Sequence, residues 1–275
     1  MPPKPTQSAR ARDPIGVFDS GLGGLTLVKA IRKVLPGENL IYFGDLARLP
    51  YGTKSRSQIQ AFSVENTQFL LDRGIKALVI ACNSSASAAG KQVRSQFSLL
   101  PVVDVIEPAV HEAIEKSKSL RIGMIATCAT VESGVYEKFL RKGRAGVQVF
   151  SKACPLFVPL VEEGMWQDAA TDLMIRRYVR PLVEKKIDTL ILGCTHYPLL
   201  IPALRRFLPK SVHLVDSALP TALKLKKVLL QKKLQNPEKN KGKLEIFVSD
   251  KPRQFTLMGQ RFLGERLGRV TVVRR

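Results

Sequence analysis

The chain has 275 residues, 45% of them hydrophobic and 24% charged, with a formal net charge of +21, a composition that fits a globular protein with one large core or two modest ones. Its apolar runs are strand-sized, well short of the roughly 18 residues of a membrane span. Met1 to Asp13 holds three prolines, one lysine and two arginines without the apolar centre of a secretory signal. These features predict a flexible basic tail over 1–13, a cytoplasmic location and no membrane partner.

The four cysteines, Cys82, Cys128, Cys154 and Cys194, are separated by 46, 26 and 40 residues. No close pair exists, which argues against a zinc site and against a disulfide framework. With only three histidines, His111, His196 and His213, no metal centre is expected.

In chain order, Ile15-Gly-Val-Phe18 reads as a strand leading into the glycine-rich turn Asp19-Ser20-Gly21-Leu22-Gly23-Gly24, then a helix over Leu25 to Leu35 closed by Pro36-Gly37. Such a turn brings backbone N–H groups close to an anion. A dinucleotide fingerprint needs a third glycine where Thr26 stands, so a turn that holds a carboxylate is the better reading. Leu40-Ile-Tyr-Phe43 is the next strand. The turn Leu49-Pro50-Tyr51-Gly52, a helix over Ser57 to Arg73 and a strand over Ala77 to Ala81 follow it. Alternation at this spacing predicts a parallel sheet with helices on both faces, with ligands at the carboxyl ends of the strands. Asp19, Ser20, Cys82 and Asn83 belong to that end.

Two stretches organise the chain. Ala77-Leu-Val-Ile-Ala-Cys82-Asn-Ser is echoed 112 positions later by Thr189-Leu-Ile-Leu-Gly193-Cys194-Thr-His. Each is an apolar strand, a cysteine, then polar residues that can open a helix, where the helix dipole favours thiolate. The strand Ile122-Gly-Met-Ile125 with Ala126-Thr127 likewise resembles Ile15-Gly-Val-Phe18 with Asp19-Ser20. The distances to the respective cysteines are 72 and 67 residues. The repetition predicts two pseudo-symmetric α/β domains with a cleft between them and a thiol on each wall. The expected division is 14–103 plus 215–275, carrying Cys82, and 104–214, carrying Cys194. A strand at Val215, a helix around Thr221 to Lys233 and an exposed charged loop over 235–243 come next. The strand Leu244 to Val248, a helix through Phe262 and the strand Val270 to Val273 then return to the first sheet. Cys128 and Cys154 read as small buried apolar residues.

Two opposed thiols suit removal of a proton from one face of an activated carbon and its return to the other face. Neighbouring hydroxyl, amide and backbone donors stabilise the charge that develops on an adjacent carboxylate.

Several stretches together resemble the glutamate racemases of the aspartate/glutamate racemase family: Val17 to Leu25, Pro50-Tyr51-Gly52, Ala81-Cys82-Asn83-Ser84, Val158 to Glu162 and Gly193-Cys194-Thr195-His196-Tyr197-Pro198-Leu199-Leu200. The resemblance spans about Ile15 to Val273. It implies cofactor-independent, two-base racemisation of glutamate in a cleft between two α/β domains, supplying D-glutamate for peptidoglycan synthesis. By the same resemblance Cys82 and Cys194 are the catalytic pair, Cys82 acting on the D-isomer and Cys194 on the L-isomer. Asp19 assists the first thiol, and Glu162 and His196 assist the second. Asp19, Ser20, Tyr51, Gly52, Asn83, Ser84, Thr195 and His196 match the family's substrate contacts. Ser84 departs from the usual threonine, and Glu163 answers the description of Glu162 equally well.

The resemblance also implies a homodimer and a peptidoglycan precursor as activator. An aspartate racemase on the same scaffold is the alternative within enzymes. His196-Tyr197-Pro198 favours glutamate, since aspartate racemases tend to be acidic where His196 stands. A basic module that binds nucleic acid or DNA gyrase is the alternative of another class, carried by fifteen Lys or Arg against four Asp or Glu from Thr221 to Arg275. The interleaved aromatics of a nucleic-acid platform are missing there.

Overall fold

The computed structural model describes residues 10–238 and 240–273. Among these described residues ten strands form two parallel sheets. The first contains β1 (Ile15–Asp19), β2 (Leu40–Gly44), β3 (Ala77–Ile80), β4 (Val102–Asp104), β9 (Leu244–Val248) and β10 (Val270–Val272), in the order β10-β9-β2-β1-β3-β4. The second contains β5 (Arg121–Ala126), β6 (Gln148–Ala153), β7 (Thr189–Gly193) and β8 (His213–Asp216), in the order β6-β5-β7-β8. β1, β2, β3 and β7 are buried along their whole length, which is why they read as continuous apolar runs rather than alternating ones.

Helices connect the strands: α1 (Leu25–Val34), α2 (Arg56–Leu71), α3 (Asn83–Gln96), α4 (Ile106–Lys116), α5 (Cys128–Glu132), α6 (Val135–Gly143), α7 (Phe157–Glu162), α8 (Ala169–Glu184), α9 (Ile201–Phe207), α10 (Ala218–Gln231) and α11 (Pro252–Leu263). Local chemistry sets several of their starts. Ser55 caps α2 by accepting from the Gln58 N–H, and Asp168 caps α8 by accepting from the Ala170 N–H. α1 buries Leu25, Leu27, Val28 and Ile31 and carries Arg32 and Lys33 in its last turn, where cations favour the dipole. Among the described residues no helix is long and apolar enough to cross a membrane.

The repetition seen in the sequence is a repetition of topology. β2-β1-β3-β4 and β6-β5-β7-β8 are the same strand order, entered at equivalent points. Register agrees as well: Ile15 pairs with Ala77 in the first sheet and Ile122 with Thr189 in the second. Cys82 and Cys194 each lie five residues beyond the second partner.

Three expectations need correction. The boundary expected between 214 and 215 cuts through β8, which pairs with β7 from Thr189 opposite His213 to Leu192 opposite Asp216. Val215 and Asp216 are therefore part of the second sheet. The part of the basic tail within the described residues is tied down, because Ala11 is buried and its carbonyl accepts from Lys76 Nζ at 2.5 Å. Residues 1–9 lie outside the description. The boundary expected between 103 and 104 cuts β4, whose Asp104 pairs with Ile80 in the first sheet. The segment over 235–243 is a loop with most of its described residues exposed, as expected, and it is held to the turn after α1 by Asn236 N–H donating to Glu38 Oε1 at 2.8 Å and Gly242 N–H to the Pro36 carbonyl at 2.8 Å.

Lys76 and Glu38 hold these segments together through a fully buried ion pair at 2.5 Å. Burial lowers the Lys76 pKa, and Glu38 opposes that shift. Removing one member leaves an unpaired charge in the interior, at a cost of about 3–5 kcal/mol. In urea unfolding, Glu38→Ala should lose stability of that order, and the double variant Glu38→Leu, Lys76→Met should recover much of it.

Candidate active site

In each sheet the strand order reverses between the first strand and its neighbour, β1 and β3 in one and β5 and β7 in the other. A crevice for ligand opens at such a point outside the carboxyl ends. The two crevices face each other and form one cavity of about 100 Å³. Ser20, Tyr51, Gly52, Cys82, Asn83 and Ser84 line it from the first sheet's side, and Cys194, Thr195 and His196 from the second's. The two thiols, expected on opposite walls, are thus on one cavity, 5% and 7% exposed. Asp19 and Glu162, also expected here, stand behind the wall and reach it through hydrogen bonds.

Asp19 is fully buried. In the glycine turn after β1, Gly21 N–H donates to Asp19 Oδ2 at 3.1 Å. Thr195 Oγ1 donates to Asp19 Oδ1 at 3.2 Å from the opposite side. Burial raises the Asp19 pKa, against the lowering effects of His196, the Gly21 and Gly24 amides and Thr195. Gly23 explains the second glycine of the turn. A Cβ there would lie 2.3 Å from Thr195 Oγ1 and 2.6 Å from His196 Nδ1, so no larger residue fits between the two walls.

Cys82 is the N-cap of α3, with extended backbone angles. The helix dipole was expected to favour its thiolate, and the environment reverses this. Burial, followed by the charge of Asp19, pushes the thiol up to about 11, while Ser20 and Ser85 bond the sulfur and oppose the shift. The second thiol has different surroundings. Cys194 is followed by a single 3₁₀ turn, Tyr197–Leu200, before α9, so no long helix points at it. Its sulfur lies instead 3.8 Å from His196 Nδ1, and His196 Nε2 lies 2.9 Å from Glu162 Oε1. Burial opposes charge on His196, but the bonds to Cys194 and Glu162 carry its pKa up to about 10. Glu162 is the carboxylate that reaches the ring, whereas Glu163 is exposed.

Tyr51 contributes its ring to the wall and turns its hydroxyl away. The hydroxyl donates to Asp45 and accepts from Asn66 Nδ2 at 3.0 Å. Asp45 also accepts from Arg48 Nε at 2.6 Å and from Ser249 Oγ at 3.0 Å, which anchors the Tyr51-Gly52 turn to the end of β2. Ser84 Oγ is 2.9 Å from Thr127 Oγ1.

Thr127 and Cys128 line the cavity and were not among the expected site residues. Thr127 was detectable, because the repeat aligns it with Ser20. Cys128, expected to be buried, is partly exposed on the cavity wall. Cys154 is buried as expected, away from the cavity lining. Among the described residues no group of His, Cys, Asp or Glu is arranged to hold a metal ion.

The family model of Asp/Glu/Hydantoin racemases matches residues 25–223. The glutamate racemase of Neisseria meningitidis serogroup C is 45% identical over 260 residues, covering 94% of this chain and 96% of the relative. A glutamate racemase structure from Francisella tularensis, in complex with D-glutamate, superposes with a TM-score of 0.90 at 39% identity, covering 96% of this chain and 98% of that one. A structure from Escherichia coli, in complex with L-glutamate and the activator UDP-MurNAc-ala, superposes at 0.72 with 27% identity, covering 91% and 95%. With a match across most of its length and a shared arrangement of two parallel sheets, the chain belongs to the Asp/Glu/Hydantoin racemase family.

Proposed function

We propose that this protein interconverts L- and D-glutamate without a cofactor, using the thiols of Cys82 and Cys194 as the two bases. The observation that carries the reading is that both sulfurs line one small cavity from topologically equivalent positions. The α-hydrogen of glutamate is a weak acid, so its removal needs a base on one face. Inversion needs a proton donor on the other. With Cys194 as thiolate and Cys82 as thiol, the L-isomer loses its α-proton to Cys194, and the planar carbanion takes a proton from Cys82. The D-isomer runs the same path backwards.

The surroundings of the sulfurs support this division. An imidazolium at His196, held by Glu162 and adjacent to Cys194, stabilises negative charge on that sulfur. The burial that pushes the Cys82 thiol up to about 11 keeps a proton on it at neutral pH. When the D-isomer is consumed, Cys82 has to give up that proton, and Asp19 with its raised pKa is the group able to hold one nearby. Ser20, Asn83, Ser84, Thr195 and the Tyr51-Gly52 turn supply side-chain and backbone donors for two carboxylates.

Glutamate is preferred over aspartate because two of the three named relatives, from N. meningitidis and F. tularensis, are glutamate racemases at 45% and 39% identity over nearly the whole chain. The reading divides the chain into two lobes, one formed by 14–104 with the C-terminal segment and one by 105–216, each around its own sheet. In it the D-glutamate serves peptidoglycan synthesis in the cytoplasm. The E. coli relative solved with the activator UDP-MurNAc-ala supports that assignment.

Purified protein free of pyridoxal phosphate should racemise L-glutamate, followed by circular dichroism, and should incorporate solvent deuterium at the α-position. Inversion of L-aspartate alone would overturn the substrate assignment. Cys82→Ser and Cys194→Ser should each abolish racemisation in both directions while leaving the unfolding transition cooperative. Either variant retaining wild-type turnover would sink the two-base scheme.

The folded pKa of His196, about 10, exceeds its ordinary 6.5. Its charged form therefore stabilises the fold fully below pH 6.5, and that contribution is lost as pH rises through about 10. Catalytic efficiency should fall over the same alkaline limb, and His196→Gln should remove this limb from the stability profile. Gly23→Ala should reduce turnover by about a hundredfold, the scale of a misplacement near 1 Å, because its methyl group displaces Thr195 and His196.

A further inference from the structure

Tyr136 is the second residue of α6, reached from the second sheet, and it is fully buried. Its hydroxyl donates to Asn83 Oδ1 at 2.6 Å. Asn83 is the first residue of α3 on the first sheet's side, next to Cys82, and it lines the cavity. The other end of its amide, Nδ2, is a buried donor without a hydrogen-bond partner. An unpaired amide donor in the interior is costly, so an acceptor from a ligand is the natural complement.

An asparagine amide can rotate by half a turn with almost no change in shape, exchanging its acceptor and donor ends. Only one orientation offers an N–H to a carboxylate in the cavity. The other offers a carbonyl oxygen and repels it. What selects between them is the partner behind the amide. Burial, with the charges of Asp104 and Cys194 adding to it, raises the Tyr136 pKa far above that of an ordinary phenol, so the hydroxyl keeps its proton throughout the working range. That proton needs an acceptor, and among the described residues Asn83 Oδ1 is the one it reaches.

We propose that Tyr136 is a positioning residue that locks the Asn83 amide with its NH₂ facing the cavity, so that the wall beside Cys82 presents a donor to a substrate carboxylate only while the Tyr136 hydroxyl holds Asn83 Oδ1. The nature of the substrate rests on the racemase reading above, but the locking of the amide does not. Tyr136 touches no reacting atom. Its effect passes entirely through Asn83, and it joins the two halves of the chain at the cavity edge.

The test is Tyr136→Phe, which removes one oxygen and keeps the ring. In glutamate racemisation it should raise KM by roughly tenfold, the scale of one hydrogen bond to a charged group, with a much smaller change in kcat, because a carboxylate contact is made equally in ground and transition states. In an Asn83→Ala background the same substitution should add nothing further. A merely structural tyrosine would lower the melting temperature and leave KM in place, or would add its full effect to that of Asn83→Ala. Either result overturns the proposal.

A readout without substrate separates this inference from the racemase assignment. In the ¹⁵N–¹H spectrum of the free protein, the Asn83 side-chain pair is identified by its loss in Asn83→Ala. That pair should be sharp in the wild type and shifted or exchange-broadened in Tyr136→Phe. An unchanged pair refutes the lock even if the protein racemises glutamate. Absence of racemisation by the wild type refutes the substrate and leaves the spectral test standing.

Discussion

The hydrogen bond from Thr195 to Asp19 is the contact on which the site depends, because it ties the residue beside one thiol to the strand end beneath the other. Two separate parallel sheets could each hold a cysteine at a strand terminus without the pair ever sharing a cavity. Here the walls are drawn together by this bond, by Ser84 against Thr127 and by Tyr136 against Asn83. The approach is close enough that Gly23 and Gly52 have no room for a side chain. A Cβ on Gly52 would stand 2.7 Å from Thr127 Cβ. Each of these contacts joins residues from opposite halves of the chain, so the small cavity is a property of the pairing and not of either sheet alone.

Given that frame, electrostatics distinguishes two walls that topology makes equivalent. Cys82 stands at the head of a fourteen-residue helix, yet burial and the neighbouring Asp19 outweigh the dipole and keep its proton on. Cys194 has only a short 3₁₀ turn ahead of it and is flanked by an imidazole braced by a carboxylate. A dipole acts over a turn and weakens when other charges are nearer. The nearer charges are of opposite kind on the two sides, an acidic Asp19 by Cys82 and a basic His196 by Cys194.

Much of this was legible in the residues. The strands β1, β2, β3 and β7 are buried on both faces and announce themselves as unbroken apolar runs, and the spacing of Ile15 and Ile122 from their cysteines predicted the repeated topology. The part of the chain between Thr127 and Asp188 was far less readable. β6 is an edge strand of the sequence Gln-Val-Phe-Ser-Lys-Ala, without a residue buried below the surface layer. α8 carries Pro181 inside it, a residue that normally marks a helix end. The boundary at 214 failed because β8 is short and only partly buried, so its allegiance is decided by pairing and not by pattern. Among the site residues, Glu162 could be told from Glu163 only by the distance to His196. Thr127 went unassigned because its chemistry lies in a cross-wall contact with Ser84 that no local motif records.

The unlike settings of the two sulfurs carry a thermodynamic consequence for a catalyst of mirror-image interconversion. Enantiomers have identical free energies in water, so at balance they are present in equal amounts, whatever the catalyst. The ratio of turnover to half-saturation must then be the same for either handedness. A wall that holds its proton tightly can make one hand turn over more slowly only if that hand also saturates the cavity at a lower concentration. The asymmetry of His196 on one side and Asp19 on the other is thereby confined to how the enzyme behaves when flooded with one enantiomer, and it vanishes from its behaviour at trace supply.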